Sequence, residues 1–267
     1  MRGPSVACML HDITESNRAS WNQIHHARPG EPASYFAAGG STLTEAELAA
    51  AGNVRGRRVL QLACSCGDEV LSWARLGASV TGVDISEVAL AMAIEKSAAA
   101  GISADFVRAD MLALPESLTG FDLIYLSWGA VCWLPDLDVF ATSVAARLIA
   151  GGSVLIAEHH PAWETLAVRG PSQLEVTADY FGRTTPLAAV ENSKRPTGAR
   201  DNPDAPSFTA FIWPPSDVIT ALLKAGLTLT RFEEAPDPDS YLGLGPAASA
   251  LPATYLIRAT RNVPRET

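Results

Sequence analysis

Residues 57–86 read RRVLQLACSCGDEVLSWARLGASVTGVDIS, in the order strand, tight turn, helix, strand. Residues 59–63 are a short apolar run and residues 64–67 are small. Over residues 68–76, Val70, Leu71 and Ala74 fall on one helical face before Gly77 stops the helix. Residues 80–83 then make a second strand that ends on Asp84. Strand, turn and helix in this order form a βα unit, the repeating piece of a parallel sheet flanked by helices. Small side chains let a ligand approach the backbone at the helix N-terminus, and an acid at the tip of the next strand can bond a ribose hydroxyl pair. The stretch therefore predicts a nucleotide-type site.

The dinucleotide fingerprint GxGxxG is absent from these residues. What they resemble is the first motif of the class I S-adenosylmethionine (SAM)-dependent methyltransferases, in which an apolar strand enters a small-residue turn and the second strand ends in Val-Asp-Ile-Ser, here residues 83–86. Within that superfamily the chain resembles the small-molecule branch that opens with an Asn-Arg…Trp segment, here Asn17, Arg18 and Trp21. Two departures stand out. Gln61 occupies the place of the usual first-strand acid, and Ala63 and Ser65 replace two usual glycines, so that Gly67 alone is kept. The resemblance implies an α/β fold, a Rossmann-like doubly wound seven-stranded sheet with its last strand antiparallel, N-terminal helices, and a substrate lid inserted after the fifth strand. It also implies SAM as cofactor, held by Ala63, Cys64, Ser65, Gly67, Asp84 and Ile85.

A chain of 267 residues, 48% hydrophobic, is long enough for one large α/β domain or one domain with a lid. The expected division is an N-terminal helical cap at 1–53, a SAM-binding core at 54–160, the lid at 161–213, and a helix plus terminal hairpin completing the core at 214–267. The net charge of −9 repels a phosphate backbone and no basic run is present, so no nucleic-acid partner is expected. Apolar runs are short and broken by charge or glycine, and residues 1–10 lack a cleavable signal pattern; the expectation is a cytoplasmic protein without a membrane partner, monomeric or homodimeric. Cys64 and Cys66 form a C-x-C with no second ligand pair at metal spacing, so with Cys8 and Cys132 they are read as reduced thiols and no metal is expected.

Residues 1–13 show no usable period and are expected to be mobile. From Thr14 the spacing is helical, with Asn17, Trp21, Ile24 and His25 within reach of one face. Thr44 and Glu47 form a capping box for a second helix that Gly52 ends. In the resembling family such helices lie across the mouth of the cofactor site. That resemblance makes Trp21, His25 and His26 substrate neighbours and puts Tyr35 near the methionine end of the cofactor. Adjacent histidines on a helix point about 100° apart, so only one of His25 and His26 can face a pocket.

After Asp84, Ser86 caps a helix that runs to residue 100 and closes at Gly101. A third strand, 104–107, leads to Asp110 and Met111. By resemblance Asp110 accepts from the adenine amino group and Met111 offers its backbone amide to the ring. Residues 121–127 are a fourth strand, apolar enough to be buried on both faces and ending on Ser127, the family's small or polar cofactor-side residue. Trp133 follows in a loop before a helix at 137–149, either walling the pocket or packing under that helix. The fifth strand, 153–159, leads into His160, and alternation puts Glu158 and His160 on one face. A histidine at this sheet edge beside an acid is a candidate general base. Residues 162–215 gather prolines and glycines, with strand-like alternation at 173–180 and 207–213 and a loop at 195–206. Tyr180 is a candidate to face the acceptor. A helix from Pro215 and strands at 227–232 and 254–259 complete the pattern.

Methyl transfer is an in-line displacement that chiefly requires two reactants held in contact away from water, so these sequences name the donor better than the acceptor. The expected activity is methylation of an O, N or S nucleophile on a small organic molecule, with His160 and Tyr180 as catalytic candidates. Three rivals remain: a protein that binds SAM without transferring methyl, such as a cyclase or regulator; a nicotinamide-dependent dehydrogenase, disfavoured by the missing glycines; and a macromolecular methyltransferase, opposed by the acidic charge balance.

Overall fold

In the computed structural model, which describes residues 6–182 and 208–263, seven strands pair into one sheet. They are β1 (Arg58–Leu62), β2 (Ser79–Asp84), β3 (Asp105–Arg108), β4 (Phe121–Ser127), β5 (Leu148–His159), β8 (Leu227–Ala235) and β9 (Thr254–Arg261). A separate hairpin is made by β6 (Leu166–Gly170) and β7 (Gln173–Val176). The sheet order is β3-β2-β1-β4-β5-β9-β8, parallel from β3 to β5, with β9 antiparallel to both neighbours. This is the doubly wound sheet with an antiparallel last strand that the sequence predicts. Because β2 and β3 are laid down on one side of β1, and β4 and β5 on the other, the winding reverses between β1 and β4. A crevice opens outside their carboxyl ends.

Alternation along the strands assigns the two faces. Leu60, Leu62, Ile124, Leu126, Val154 and Ile156 pack with Phe140 and Val144 of α6 (Leu137–Arg147) and with Val218 and Leu222 of α8 (Pro215–Lys224). Val59, Leu123, Tyr125, Leu155 and Ala157 pack on the opposite face. Their partners are Ala50 and Ala51 of α3 (Glu45–Ala51), Val70 and Trp73 of α4 (Asp68–Arg75), and Leu90 of α5 (Glu87–Ala100). Each fully buried Leu or Ile contributes about 1.5–3 kcal/mol, which is why a strand such as 121–127 reads as a nearly continuous apolar run. Gly82 has a packing reason: a Cβ there would lie 2.9 Å from both Cys64 Sγ and Val70 Cγ2.

The predicted caps form. Thr44 accepts from Glu47 N while the Glu47 carboxylate accepts from Thr44 N, and Ser86 accepts from Ala89 N. Several boundaries differ from the sequence reading. Helix α1 begins at Val6 and runs to Ile24, because no proline or glycine interrupts residues 6–24 and Ala, Met and Leu favour helix. Short helices α2 (Ala33–Ala37) and α7 (Pro161–Thr165) occupy segments that lack a period, and β5 starts at Leu148, taking in Gly151 and Gly152 through a register shift against β4. Residues 208–213 make only an isolated bridge at Ile212 instead of a strand, and β7 stops at Val176. The loop expected at 195–206 lies outside the described residues.

Candidate cofactor and acceptor site

The turn after β1 is built from three left-handed residues, Ala63 (φ 50°), Ser65 (φ 48°) and Gly67 (φ 86°). Glycine takes this conformation without penalty, whereas an L side chain pays about 1–2 kcal/mol. Closure of the turn onto β2 explains why the strain persists. Cys64 N donates to Val83 O (2.9 Å), and Ser65 N donates to Asp84 Oδ2 (2.8 Å). The other Asp84 oxygen accepts from Ser86 N at 2.8 Å. Burial raises the Asp84 pKa while the Ser86, Ser65 and Ile85 amides pull it down. A carboxylate offers about four acceptor positions, so capacity remains beyond these amides for a ribose hydroxyl. A nucleoside ribose fits here on that ground. Ser65→Gly is expected to raise stability by about 0.5–1 kcal/mol, the strain released less the entropy glycine adds to the unfolded chain; the urea midpoint measures it.

The Cys64 thiol is buried against β2 rather than open to the crevice. Ile85 follows Asp84 and is half-buried. Beyond β3, Ala109 N donates to Asp84 O (3.1 Å), which ties the next segment to the same corner. Asp110 Oδ1 accepts from Leu112 N (2.9 Å), and its second oxygen is available to an amino donor. Met111 is half-buried against the core, and Ser127 is buried at the end of β4. Topology thus brings the turn, Asp84, Asp110 and Ser127 to the carboxyl ends of four adjacent strands.

Beneath the turn lies a set of polar side chains that the sequence reading did not assign. Gln61 is fully buried; its Nε2 donates to Glu69 Oε2 (3.3 Å), while its Oε1 has no hydrogen-bond partner. Burial pushes the half-buried Glu69 carboxyl upward, and Asp68 and Glu47 add to the shift. Tyr125 OH donates to Glu47, whose carboxylate also takes the Thr44 N–H and hydroxyl. The missing first-strand acid was the one signal in the sequence pointing here.

Helix α1 lies across this end of the sheet. Asn17 exchanges two 2.8 Å bonds with the Thr209 backbone, Asn22 Oδ1 meets Ser86 Oγ at 2.7 Å, and Arg18 pairs with Glu15 and Glu87. Trp21 meets Trp133 (5.3 Å between ring centroids) and Phe208 (5.1 Å), and Trp133 meets Phe208 (5.6 Å). Trp21 and Trp133 are therefore together, with an aromatic from the far side of residues 161–213 that the sequence did not single out. His25 is buried against Trp21 at 5.2 Å, whereas His26 is exposed, as their angular separation requires. Tyr35 is 37% exposed and donates its hydroxyl to Ser41 O (2.8 Å), within its own loop.

Burial, helped by Arg28 and His26, lowers the His25 pKa to about 4. The unfolded chain binds this proton near 6.5, so stability is intact above that pH and falls as pH drops from 6.5 toward 4. Between pH 7.5 and 5 the wild type is expected to lose about 2 kcal/mol more than His25→Gln in urea titrations.

The end of β5 differs from the sequence expectation. The Glu158 carboxylate, 4% exposed, accepts from the backbone amides of Gly129 (2.5 Å), Ala130 (2.8 Å), Val131 (2.9 Å) and His159 (2.7 Å), and so pins the turn after β4. It is not the acid beside His160. That partner is Glu234, 2.8 Å from Nε2, while Nδ1 accepts from Ala162 N (3.1 Å) as the cap of α7. With both nitrogens engaged in these bonds, His160 presents no free nitrogen to a substrate. Desolvation lowers its pKa against the pull of Glu234. Tyr180 stacks on His160 at 6.3 Å, and burial raises its phenol pKa. His159, which strand alternation puts on the face opposite Glu158, sits between Trp128 (5.5 Å) and Trp163 (5.0 Å), and its buried Nδ1 has no hydrogen-bond partner. It lines a cleft with Gly129, Glu164, Phe211 and Trp213. Among the described residues no cluster of His, Cys, Asp and Glu could hold a metal, and no helix is long and apolar enough to cross a membrane.

Comparison with known proteins bears on the same stretch. Residues 59–152 match the model of the methyltransferase domain. A ubiquinone biosynthesis O-methyltransferase of Sinorhizobium fredii is 32% identical over 104 residues, covering 39% of this chain and 42% of that protein, and its Rhizobium etli counterpart is 33% identical over the same shares. The alignment thus spans less than half the length of these curated relatives. An S-adenosylmethionine-dependent methyltransferase from Mesorhizobium loti superposes with a TM-score of 0.59 at 22% identity, covering 79% of this chain and 93% of that one.

Proposed function

We propose that residues 59–152, which match the methyltransferase domain, form a class I SAM-dependent methyltransferase core and that the chain transfers the SAM methyl group to an O, N or S nucleophile of a small organic molecule. The observation that carries the reading is the left-handed turn at 63–67 closed onto Asp84, whose carboxylate keeps acceptor capacity at the sheet's switch point. When bound, SAM supplies an electrophilic methyl carbon on a sulfonium. Asp84 orients the ribose, and Asp110 with the Met111 amide orients the adenine. Trp21, Trp133 and Phe208 exclude water and present π faces that favour a nearby cation. The insertion after β5, described at 161–182 and 208–213, serves as a lid over the acceptor, and the net charge of −9 favours small acceptors over nucleic acid.

A hydroxyl acceptor must lose its proton as the C–O bond forms and the methyl C–S bond breaks, with the neutral thioether S-adenosylhomocysteine as leaving group. His159 Nδ1, buried and unpartnered beside the crevice, is the group we assign to receive it. The relatives named O-methyltransferases make oxygen the first acceptor class to test. In the assay, purified chain, SAM and a panel of alcohols, phenols, amines and thiols are followed for S-adenosylhomocysteine release. Turnover with a hydroxyl substrate is expected, and His159→Ala is expected to lower kcat about 100-fold with SAM affinity unchanged. SAM binding without product across the panel would favour a non-transferring SAM protein instead.

A further inference from the structure

The contacts proposed for adenine and ribose leave Gln61 and Glu69 without a role. A fully buried acceptor with no partner is costly, about 1–3 kcal/mol, and such atoms are few in a folded chain, so Gln61 Oε1 calls for a cause. The amide is held with its nitrogen toward Glu69, which leaves the oxygen as a second acceptor at the same spot. Two further acids, Asp68 and Glu47, face Glu69. Each of these is already supplied with donors: Asp68 by Lys96 and Glu31 N, Glu47 by Thr44 and Tyr125. Glu69 receives only the Gln61 amide among the hydrogen bonds to side chains, and no cation pairs with it among the described residues. It stands in the first turn of α4, two positions after Gly67, beside the left-handed turn that follows β1.

A half-buried carboxylate among other acids, with an unpartnered amide oxygen behind it, suits a cation bearing several N–H donors. Resting on the methyltransferase reading, we propose that Glu69, positioned by Gln61, receives the α-ammonium of the cofactor's amino-acid tail. Helix α4 then supplies the carboxylate that β1 lacks at Gln61. The ammonium neutralises the acid and gives Gln61 Oε1 a donor within reach.

Titration calorimetry with two probes tests this. S-adenosylhomocysteine carries the ammonium, whereas 5′-methylthioadenosine shares the adenosine and thioether but has no amino-acid tail. Glu69→Gln is expected to weaken S-adenosylhomocysteine about 10–100-fold, the effect of losing a charged hydrogen bond, and to leave methylthioadenosine within about twofold. Methylthioadenosine binding also reports that the variant is folded. An equal loss of both ligands, or no loss of S-adenosylhomocysteine, would overturn the assignment. Failure of the wild type to bind either ligand would overturn the cofactor reading along with it.

Discussion

Glu158→Ala is expected to destabilise the chain by about 3–5 kcal/mol, the range seen when one side of a buried charged network is removed. Four backbone amides converge on this carboxylate, three of them the consecutive N–H groups of residues 129–131. Successive amides around one anion form a nest, and without the anion they are left donating into a site with little room for water. Glu158→Gln is expected to fare nearly as badly, because it turns an NH2 group toward the same donors. Urea denaturation measures both; a loss under about 1 kcal/mol for the alanine variant would mean that the turn after β4 is held by something else. The same turn positions Trp128, itself at a positive φ of 22°, against His159, the group proposed to receive the acceptor's proton.

The second large effect is on binding. Asp84→Ala is expected to weaken SAM about 10²–10³-fold, the sum of two charged hydrogen bonds to a ribose diol at about 1.5–3 kcal/mol each, less what water restores. Part of the loss is indirect, since Ser65 N and Ser86 N lose their acceptor and the strained turn loosens. Asp84→Asn separates the contributions. It keeps an oxygen for one backbone amide and is expected to retain the fold while losing most of the affinity. Unchanged SAM affinity in both variants would remove Asp84 from the site.

What the sequence discloses is what local chemistry determines. The βα unit, the Thr44–Glu47 box, the Ser86 cap and the left-handed Gly67 all follow from residues a few positions apart. Asp84 and Asp110 are legible because a strand tip has one address once the strand is recognised. Contacts assembled by the sheet order are not legible in this way. Glu234 reaches His160 because Tyr255 of β9 pairs with Glu158 on one side and Glu234 on the other, a consequence of inserting the last strand between β5 and β8. Alternation correctly put His159 opposite Glu158, but it could not show that the acid would be consumed by backbone amides and that the histidine would be left between two tryptophans. Phe208 and Thr209 meet α1 across most of the chain's length, and no local pattern marks that meeting.

Helix α1 shows the opposite case. Its early start is written in helix propensity alone, while its purpose is set by distant partners: Asn22 touches Ser86 beside Asp84, and Trp21 joins the aromatic cluster. The helix therefore couples the cofactor corner to the proposed acceptor side.

The most direct test of the whole account is calorimetric titration of the purified wild-type chain with SAM. The account predicts a single saturable site per chain whose heat vanishes in Asp84→Ala; no heat at millimolar SAM from a folded sample would contradict it.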